Sequence, residues 1–419
     1  MAEYFDLLEV RTTDLREKDM MQDLQKQVAF AQKNSNAFEN ILKNINPQEI
    51  KTRQALAQLP ITRKTDLLEL QKKGRTNNKK DIFGGFSSVI LGKKMPRVFA
   101  SPGPIYEPEG LPSDYWRMAR ALFAAGFRSD ELIHNCFSYH FVPAGSMLET
   151  GAHALGCTVF PGGTGQTEQQ VQAMAELNPA GYVGTPSFLK IILEKAKEMG
   201  VELPSVNKAL FSGEAFPPSL RDWFLGSGVR GYQCYASADL GLIAYETEAR
   251  EGLVVDEQVL LEIVRPGTGD VVPDGEVGEV VVTNFNPTYP LIRFGTGDLS
   301  AVMVGACPTG RTNMRIKGWM GRADQTTKIR GMFVHAAQVA EVSKRFPEVL
   351  KARLVVTGEM ARDDMTLYVE TISDLQDDLP NKISEAVRDI TKLRGTVVRV
   401  ETGYLANDGK VIEDARNYK

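Results

Sequence analysis

The sequence predicts an α/β protein: a large amino-terminal body of parallel and mixed sheets flanked by helices, a small β-rich subdomain, and a small α+β carboxy-terminal domain. Three observations carry this. Between residues 120 and 240, short apolar segments alternate with helical stripes, as successive βα units do. Between 253 and 304, valine-rich runs alternate with turns. After about 325, a separate pattern of hairpin, helix and strand appears. At 419 residues the chain exceeds what one core ordinarily supports, so at least two domains are expected. The boundary is placed so that the body spans 1–323 and the smaller domain 324–419.

The elements follow in order. Residues 15–75 read as helical, with Leu24, Val28 and Ala31 about one turn apart and an end near Asn34. Residues 83–113 are rich in Gly and Pro, which predicts loop with short strands. Gly156–Phe160 is an apolar strand closed by Pro161, Gly162 and Gly163. Thr167 and Gln170 have capping-box spacing at the start of the next helix, which Pro179 ends. Ala180–Val183 is the following strand. Ser187 is positioned to cap a helix whose stripe is Leu189, Ile192, Leu193, Ala196 and Met199, with Gly200 as its terminator. Strands at Ala209–Phe211 and Tyr232–Tyr235 bracket a helix at Pro218–Leu225. In the smaller domain a hairpin around Gly358–Asp364 precedes a helix with stripe Ile383, Ala386, Val387, Ile390 and Leu393, then a strand at Val397–Val400.

Composition excludes several classes. The chain is 42% hydrophobic and 24% charged, an ordinary globular balance. A net charge of −4 lacks the electrostatic footprint of a nucleic-acid binder. The acidic, charge-broken start is no signal peptide, and no apolar run is long enough for a membrane span. Cys136, Cys157, Cys234 and Cys307 are far apart and form no CxxC pair, which predicts free thiols in a reducing, cytoplasmic compartment.

Ligands of parallel sheets bind at the carboxyl ends of the strands. Gly162 and Gly163, Gly184 and Thr185, Ser212 and Gly213, and Tyr235, Ala236 and Ser237 all fall there. Six segments then line up in order: Gly184-Thr185-Pro186-Ser187, Phe211-Ser212-Gly213-Glu214-Ala215, Tyr235-Ala236-Ser237-Ala238-Asp239, Arg293 through Asp298 and Leu299, Gly321 through Asp324 with Lys328 through Gly331, and Asp408-Gly409-Lys410. In this order they resemble the phenylacetate–CoA ligase branch of the acyl-adenylating (AMP-binding) enzymes. The resemblance covers nearly the whole chain and implies the acyl-adenylating ligase fold, with the smaller domain acting as a lid.

The resemblance also implies roles. Ser212, Gly213, Glu214 and Ala215 flank the adenine, with Tyr235, Ala236 and Ser237 beside them. Asp298 accepts the ribose hydroxyls, which a short ionised carboxylate does well. Arg322 adds a cofactor contact. Asp239 holds Mg²⁺ against the phosphates, where the family prefers Glu. Lys410 bridges the substrate carboxylate and the α-phosphate. Asp324 is the hinge of the lid, and Gly331 lets backbone approach the pantetheine arm of coenzyme A. Phe137, Tyr139, His140 and Phe141, with Gly184, Thr185 and Phe188 opposite, line the acyl pocket. His140 stands at a family glycine position and reads as a packed or hydrogen-bonded histidine before a base. The aromatics also read as plain core. The implied cofactors are ATP or AMP, Mg²⁺ and coenzyme A. The partners are a small or aromatic carboxylic acid and, by resemblance, a second copy in a homodimer.

Two departures stand out. In the family's phosphate loop, Ser101 and Gly103 remain, but Pro102 and Pro104 delete backbone donors, and the lysine position is Glu107. A carboxylate there is expected to repel a polyphosphate. The Cys/His zinc site of some relatives is reduced to Cys307, with Thr247, Val254 and Thr309 at the other positions, so no zinc is expected. Two functional readings result: an AMP-forming acyl–CoA ligase for an aromatic or small acid, or a nucleotide- and CoA-binding homologue without competent adenylation. A pseudoenzyme partner subunit is a third.

Overall fold

The alternating segments after residue 120 form the parallel part of a nine-stranded sheet. Leu132–Asn135, Thr158–Phe160, Gly181–Gly184, Lys208–Phe211 and Arg230–Ser237 run parallel. Gly241–Glu246, Leu253–Val255, Arg315–Ile316 and Val302–Met303 continue the sheet in antiparallel pairs. This is a computed structural model, and it describes residues 3–77, 81–265, 269–323, 327–330, 332–334, 336–359, 362–371, 378–406 and 410–416. Every residue of Gly181–Gly184 and Lys208–Phe211 is buried, as strands covered on both faces require.

The crossover helices are where the stripes place them. Pro186–Glu198 buries Leu189, Ile192 and Ala196. Each of the two larger side chains contributes about 1.5–3 kcal/mol of apolar burial. Gly200, at φ +67°, ends the helix, and the Val201 amide donates back to the Ala196 carbonyl at 2.8 Å. Met199 leaves the stripe and is 36% exposed.

Both expected side-chain caps are corrected. Thr167 is already the first helical residue, behind Gln166 in the left-handed region. Gln170 turns instead to the preceding loop: its Nε2 donates to the Gly162 carbonyl at 2.9 Å and its Oε1 meets His134 Nε2 at 2.6 Å. Ser187 lies inside the helix begun by Pro186, and its amide donates to Glu214 Oε2 at 3.3 Å. In both cases a tertiary partner outcompetes the local one.

The amino-terminal helices Thr13–Asn34, Asn36–Ile41, Arg53–Ala57 and Lys64–Asn77 pack Leu24, Val28, Ala31, Phe38, Leu56 and Leu67 against a four-stranded sheet. That sheet has the order Thr62–Arg63, Phe294–Ser300, Gly278–Asn284, Val259–Val264. Arg293 is 2% exposed and clamps this region: it pairs with Glu262 at 3.0 and 3.1 Å and donates to the Ala57 and Gly269 carbonyls. Arg97–Ser101 and Ile105–Glu109 form an antiparallel hairpin that packs on helix Lys64–Asn77. The four cysteines are free and buried. Cys307 Sγ lies 3.1 Å from Thr309 Oγ1, which also receives Arg311 Nη1 at 3.1 Å.

The chain divides into two compact units: Met1–Glu276 with Val280–Thr296 and Ser300–Trp319, and Val277–Glu279 with Gly297–Leu299 and Met320–Lys419. The second has a four-stranded sheet ordered Thr396–Val400, Arg362–Thr371, Val349–Glu359, Ile412–Asp414. Its central hairpin pairs Gly358 with Asp363. The helix Leu379–Thr391 buries Ile383, Ala386 and Val387 over it. Among the described residues, no helix is long and apolar enough to cross a membrane.

Candidate functional site

The strand-end loops of the first unit form a connected shelf. Tyr182 Oη donates to the Thr185 carbonyl at 3.1 Å, and the Ser212 amide donates to the Gly184 carbonyl at 3.3 Å. Gly184 is required here, because a Cβ would stand 2.2 Å from the Tyr182 hydroxyl. Ser212 Oγ donates to the Cys234 carbonyl at 3.0 Å, which ties this loop to the next strand. Beyond it Gly213, Glu214 and Ala215 are exposed. The strand Arg230–Ser237 carries a bulge between Tyr235 and Ala236. Bulges re-aim side chains, and Tyr235 Oη reaches Thr296 Oγ1 at 3.1 Å. Tyr235, Ala236 and Ser237 are all half-buried. Ser237 Oγ accepts from the Leu240 amide at 3.2 Å.

Two residues after Thr296 in the chain, Asp298 belongs to the second unit. It forms an antiparallel bridge with Arg322, whose Nη1 donates to Asp298 Oδ1 at 3.0 Å. Gly297 makes room: its φ is +74°, and a Cβ there would meet Arg322 Nη2 at 2.6 Å. The carboxylate predicted to hold ribose hydroxyls is thus half-buried and held in place by a guanidinium. Lys410 is exposed, and its carbonyl accepts from Arg353 Nε at 3.1 Å. Asp324, Gly331, Asp408 and Gly409 lie outside the described residues.

The acyl-wall candidates separate. Phe137 is buried in the core cluster with Leu148 and Met147, and Phe188 packs against a second cluster beside Leu189. Tyr139 Oη donates to Glu149 Oε2 and accepts from Asn135 Nδ2, both at 2.8 Å. Burial, reinforced by Glu149, holds its hydroxyl proton well beyond the ordinary phenol range. His140 is exposed, and Phe141, at φ +60°, is 81% exposed. These two do not join the buried aromatics.

The hairpin at the phosphate-loop position is closed on itself. Ser101 pairs with Ile105 across the turn. Ser101 Oγ donates to Glu107 Oε1, and the Ser101 amide donates to Glu107 Oε2 at 3.2 Å. Glu107 is fully buried, and its pKa is pushed up to about 8 by that burial first and then by the charge of Asp239. Burial thus works against the charge that a repelling carboxylate would need. Near neutral pH this group favours its protonated form, and its effect is to consume the donors that an anion would use.

Helix Lys64–Asn77 braces the hairpin from outside. Gln71 grips the Tyr106 backbone as a strand would: Nε2 donates to the carbonyl and Oε1 accepts from the amide, both at 2.9 Å. Lys64, at the other end of that helix, brings Nζ to 3.1 Å from Asp239 Oδ2. The Asp239 side chain has no exposed surface, and among the described residues no donor hydrogen-bonds either oxygen. The contact is an ion pair made off the hydrogen-bond direction. No local signal marked Lys64 or Gln71 in the sequence, because their partners are far along the chain.

This arrangement does not fit a divalent ion. Mg²⁺ would sit ~2.0–2.1 Å from an Asp239 oxygen. At roughly 4 Å from the Lys64 ammonium, with an effective dielectric near 20, the repulsion is about 8 kcal/mol. Glu107, the neighbouring carboxylate, is engaged by Ser101. A separate hollow of about 740 Å³, lined by Arg11, Asp19, Gln27, Phe30, Glu257 and Phe285, shares no residue with these loops.

The parallel sheet with glycine-rich strand ends makes the first unit an α/β body of the kind that binds ligands at its strand ends. The family of AMP-binding enzymes matches residues 113–287. The fold is that of 2-hydroxyisobutyryl-CoA ligase, solved in complex with 2-HIB-AMP and CoA: TM-score 0.72, 22% identity, covering 98% of this chain and 92% of that one. Within the class, the phenylacetate-coenzyme A ligase of Thermus thermophilus is 31% identical over 376 residues, covering 85% of this chain and 82% of that protein. The phenylacetate-coenzyme A ligase of Aromatoleum evansii is 30% identical over 358 residues, covering 80% and 78%. The chain belongs to the phenylacetate–coenzyme A ligase family.

Proposed function

We propose that the chain is an acid–thiol ligase that activates an aromatic or small carboxylic acid as its acyl-adenylate and passes the acyl group to coenzyme A. In the first half, a carboxylate oxygen bonds to the α-phosphorus of ATP while the bond to pyrophosphate breaks. In the second, the thiol sulfur of coenzyme A bonds to the acyl carbon, AMP leaves with the bonding pair, and the thiol proton passes to solvent. Asp298 would take the ribose hydroxyls, with Arg322 setting its orientation. Ser212 to Ala215 and Tyr235 to Ser237 would frame the base. Lys410 would stabilise charge at the α-phosphate, and the second unit would act as a lid turning near Asp324, with Gly331 beside the pantetheine arm. No step is routed through a divalent ion. A cytoplasmic location and a homodimer go with this reading.

The observation that carries it is the half-buried carboxylate of Asp298, held by Arg322 at 3.0 Å in a chain that belongs to this family. The test is an acid panel incubated with ATP and coenzyme A, followed for thioester, AMP and pyrophosphate. Equal yields of the three with at least one acid are expected, and Lys410→Ala should slow adenylate formation by roughly 100–1000-fold. A Lys410→Ala protein with full adenylation would remove that residue from the mechanism.

The closed hairpin favours a second reading, in which the chain binds nucleotide and coenzyme A but does not adenylate. Synthetic acyl-adenylate separates the two. Thioester formed from it, with no pyrophosphate released from ATP across the whole acid panel, would support the second reading against the first.

A further inference from the structure

The cation expected in the phosphate loop is missing from position 107, and a different one arrives from the helix packed against that loop. Lys64 belongs to none of the aligned motifs, yet its ammonium stands 3.1 Å from the fully buried carboxylate of Asp239.

Three further observations bear on that ammonium. Its helix is fixed against the hairpin by the two Gln71 contacts to Tyr106, so Lys64 is presented by a rigid element. Its side chain is 38% exposed while that of Asp239 is 0%, so it approaches the carboxylate from the solvent side. The loop's own donors at Ser101 are turned inward to Glu107, which leaves the hairpin little with which to hold an anion.

We propose that Lys64 is a nucleotide-phosphate-binding residue of this chain, and that its ammonium, seated on Asp239, takes the place of a divalent cation at the phosphate end of the site. The ligand class is a nucleoside polyphosphate, and the inference rests on the nucleotide reading proposed above. It predicts that the affinity for ATP depends on Lys64 and hardly on Mg²⁺.

The test is calorimetric titration of the full chain with AMP and with ATP, each with Mg²⁺ and with EDTA, for the wild type, Lys64→Ala and Lys64→Arg. In the wild type, EDTA should change the ATP affinity by less than about threefold. Lys64→Ala should weaken ATP binding by at least about tenfold while AMP binding stays within about twofold, and Lys64→Arg should restore most of the loss. The unchanged AMP affinity guards against mere misfolding. Strict Mg²⁺ dependence in the wild type with an indifferent Lys64→Ala would overturn the proposal. So would AMP and ATP affinities that fall together in both variants, which marks a structural role. If AMP binds and ATP does not, the Lys64 proposal fails and the nucleotide reading stands; if neither binds, both fail.

Discussion

The strand-end shelf and the hairpin at residues 97–109 are built from similar materials, short strands joined by glycine- and proline-rich turns, but they use their polar groups differently. On the shelf, internal hydrogen bonds fix the loops from behind: Ser212 is tied to Gly184 and Cys234, while Gly213, Glu214 and Ala215 stay exposed. In the hairpin, the Ser101 amide and hydroxyl are both turned onto buried Glu107. One region is fixed and left open; the other is fixed by filling itself. The proposed nucleoside role therefore falls to the open region, and the filled one has few donors left for further phosphates.

The largest expected effect concerns the filled region. Folding raises the pKa of Glu107 from 4.5 to about 8, so its stabilising contribution is full below pH 4.5 and is lost as pH rises toward about 8. At 1.36 kcal/mol per unit the loss is about 5 kcal/mol. Glu107→Gln should lack it, so denaturant unfolding at about pH 9 should find the variant more stable than the wild type, with little difference at about pH 4. Parallel pH profiles would mean that Glu107 ionises freely and the hairpin is not closed by it.

For the proposed nucleoside role, Asp298→Ala should weaken AMP binding by roughly 100-fold, the worth of two hydrogen bonds to a charged acceptor. An unchanged affinity would take the ribose role from Asp298. Gln71→Ala strips both contacts from the Tyr106 backbone and should lower stability by about 2 kcal/mol, read by denaturant midpoint. A neutral result would show that the hairpin stands without its brace. The smallest effect is Gly297→Ala. At φ +74° the methyl costs about 1 kcal/mol and displaces Arg322 from Asp298, so AMP affinity should fall about threefold.

Much of the fold was legible because its signals are local. The stripe Leu189, Ile192, Ala196 and the terminator Gly200 needed only their own helix to be read. The caps expected at Thr167 and Ser187 do not form because Gln170 and the Ser187 amide find partners outside their helices. The same holds at the site. The motifs mark Asp298, Arg322 and Asp239 by position, but the pairing of Asp239 with Lys64 joins residues with no shared pattern. The sign of the Glu107 effect also escapes the sequence, since a carboxylate's charge depends on a burial that composition does not reveal.

An open shelf and a self-filled hairpin would treat AMP and ATP differently, and one calorimetric series on the wild-type chain compares the two affinities. AMP should bind, and the two further phosphates of ATP should change the affinity by no more than about tenfold, the worth of the Lys64 ammonium proposed to meet them. ATP binding roughly a thousandfold tighter than AMP would contradict this, and so would a chain that binds no AMP at all.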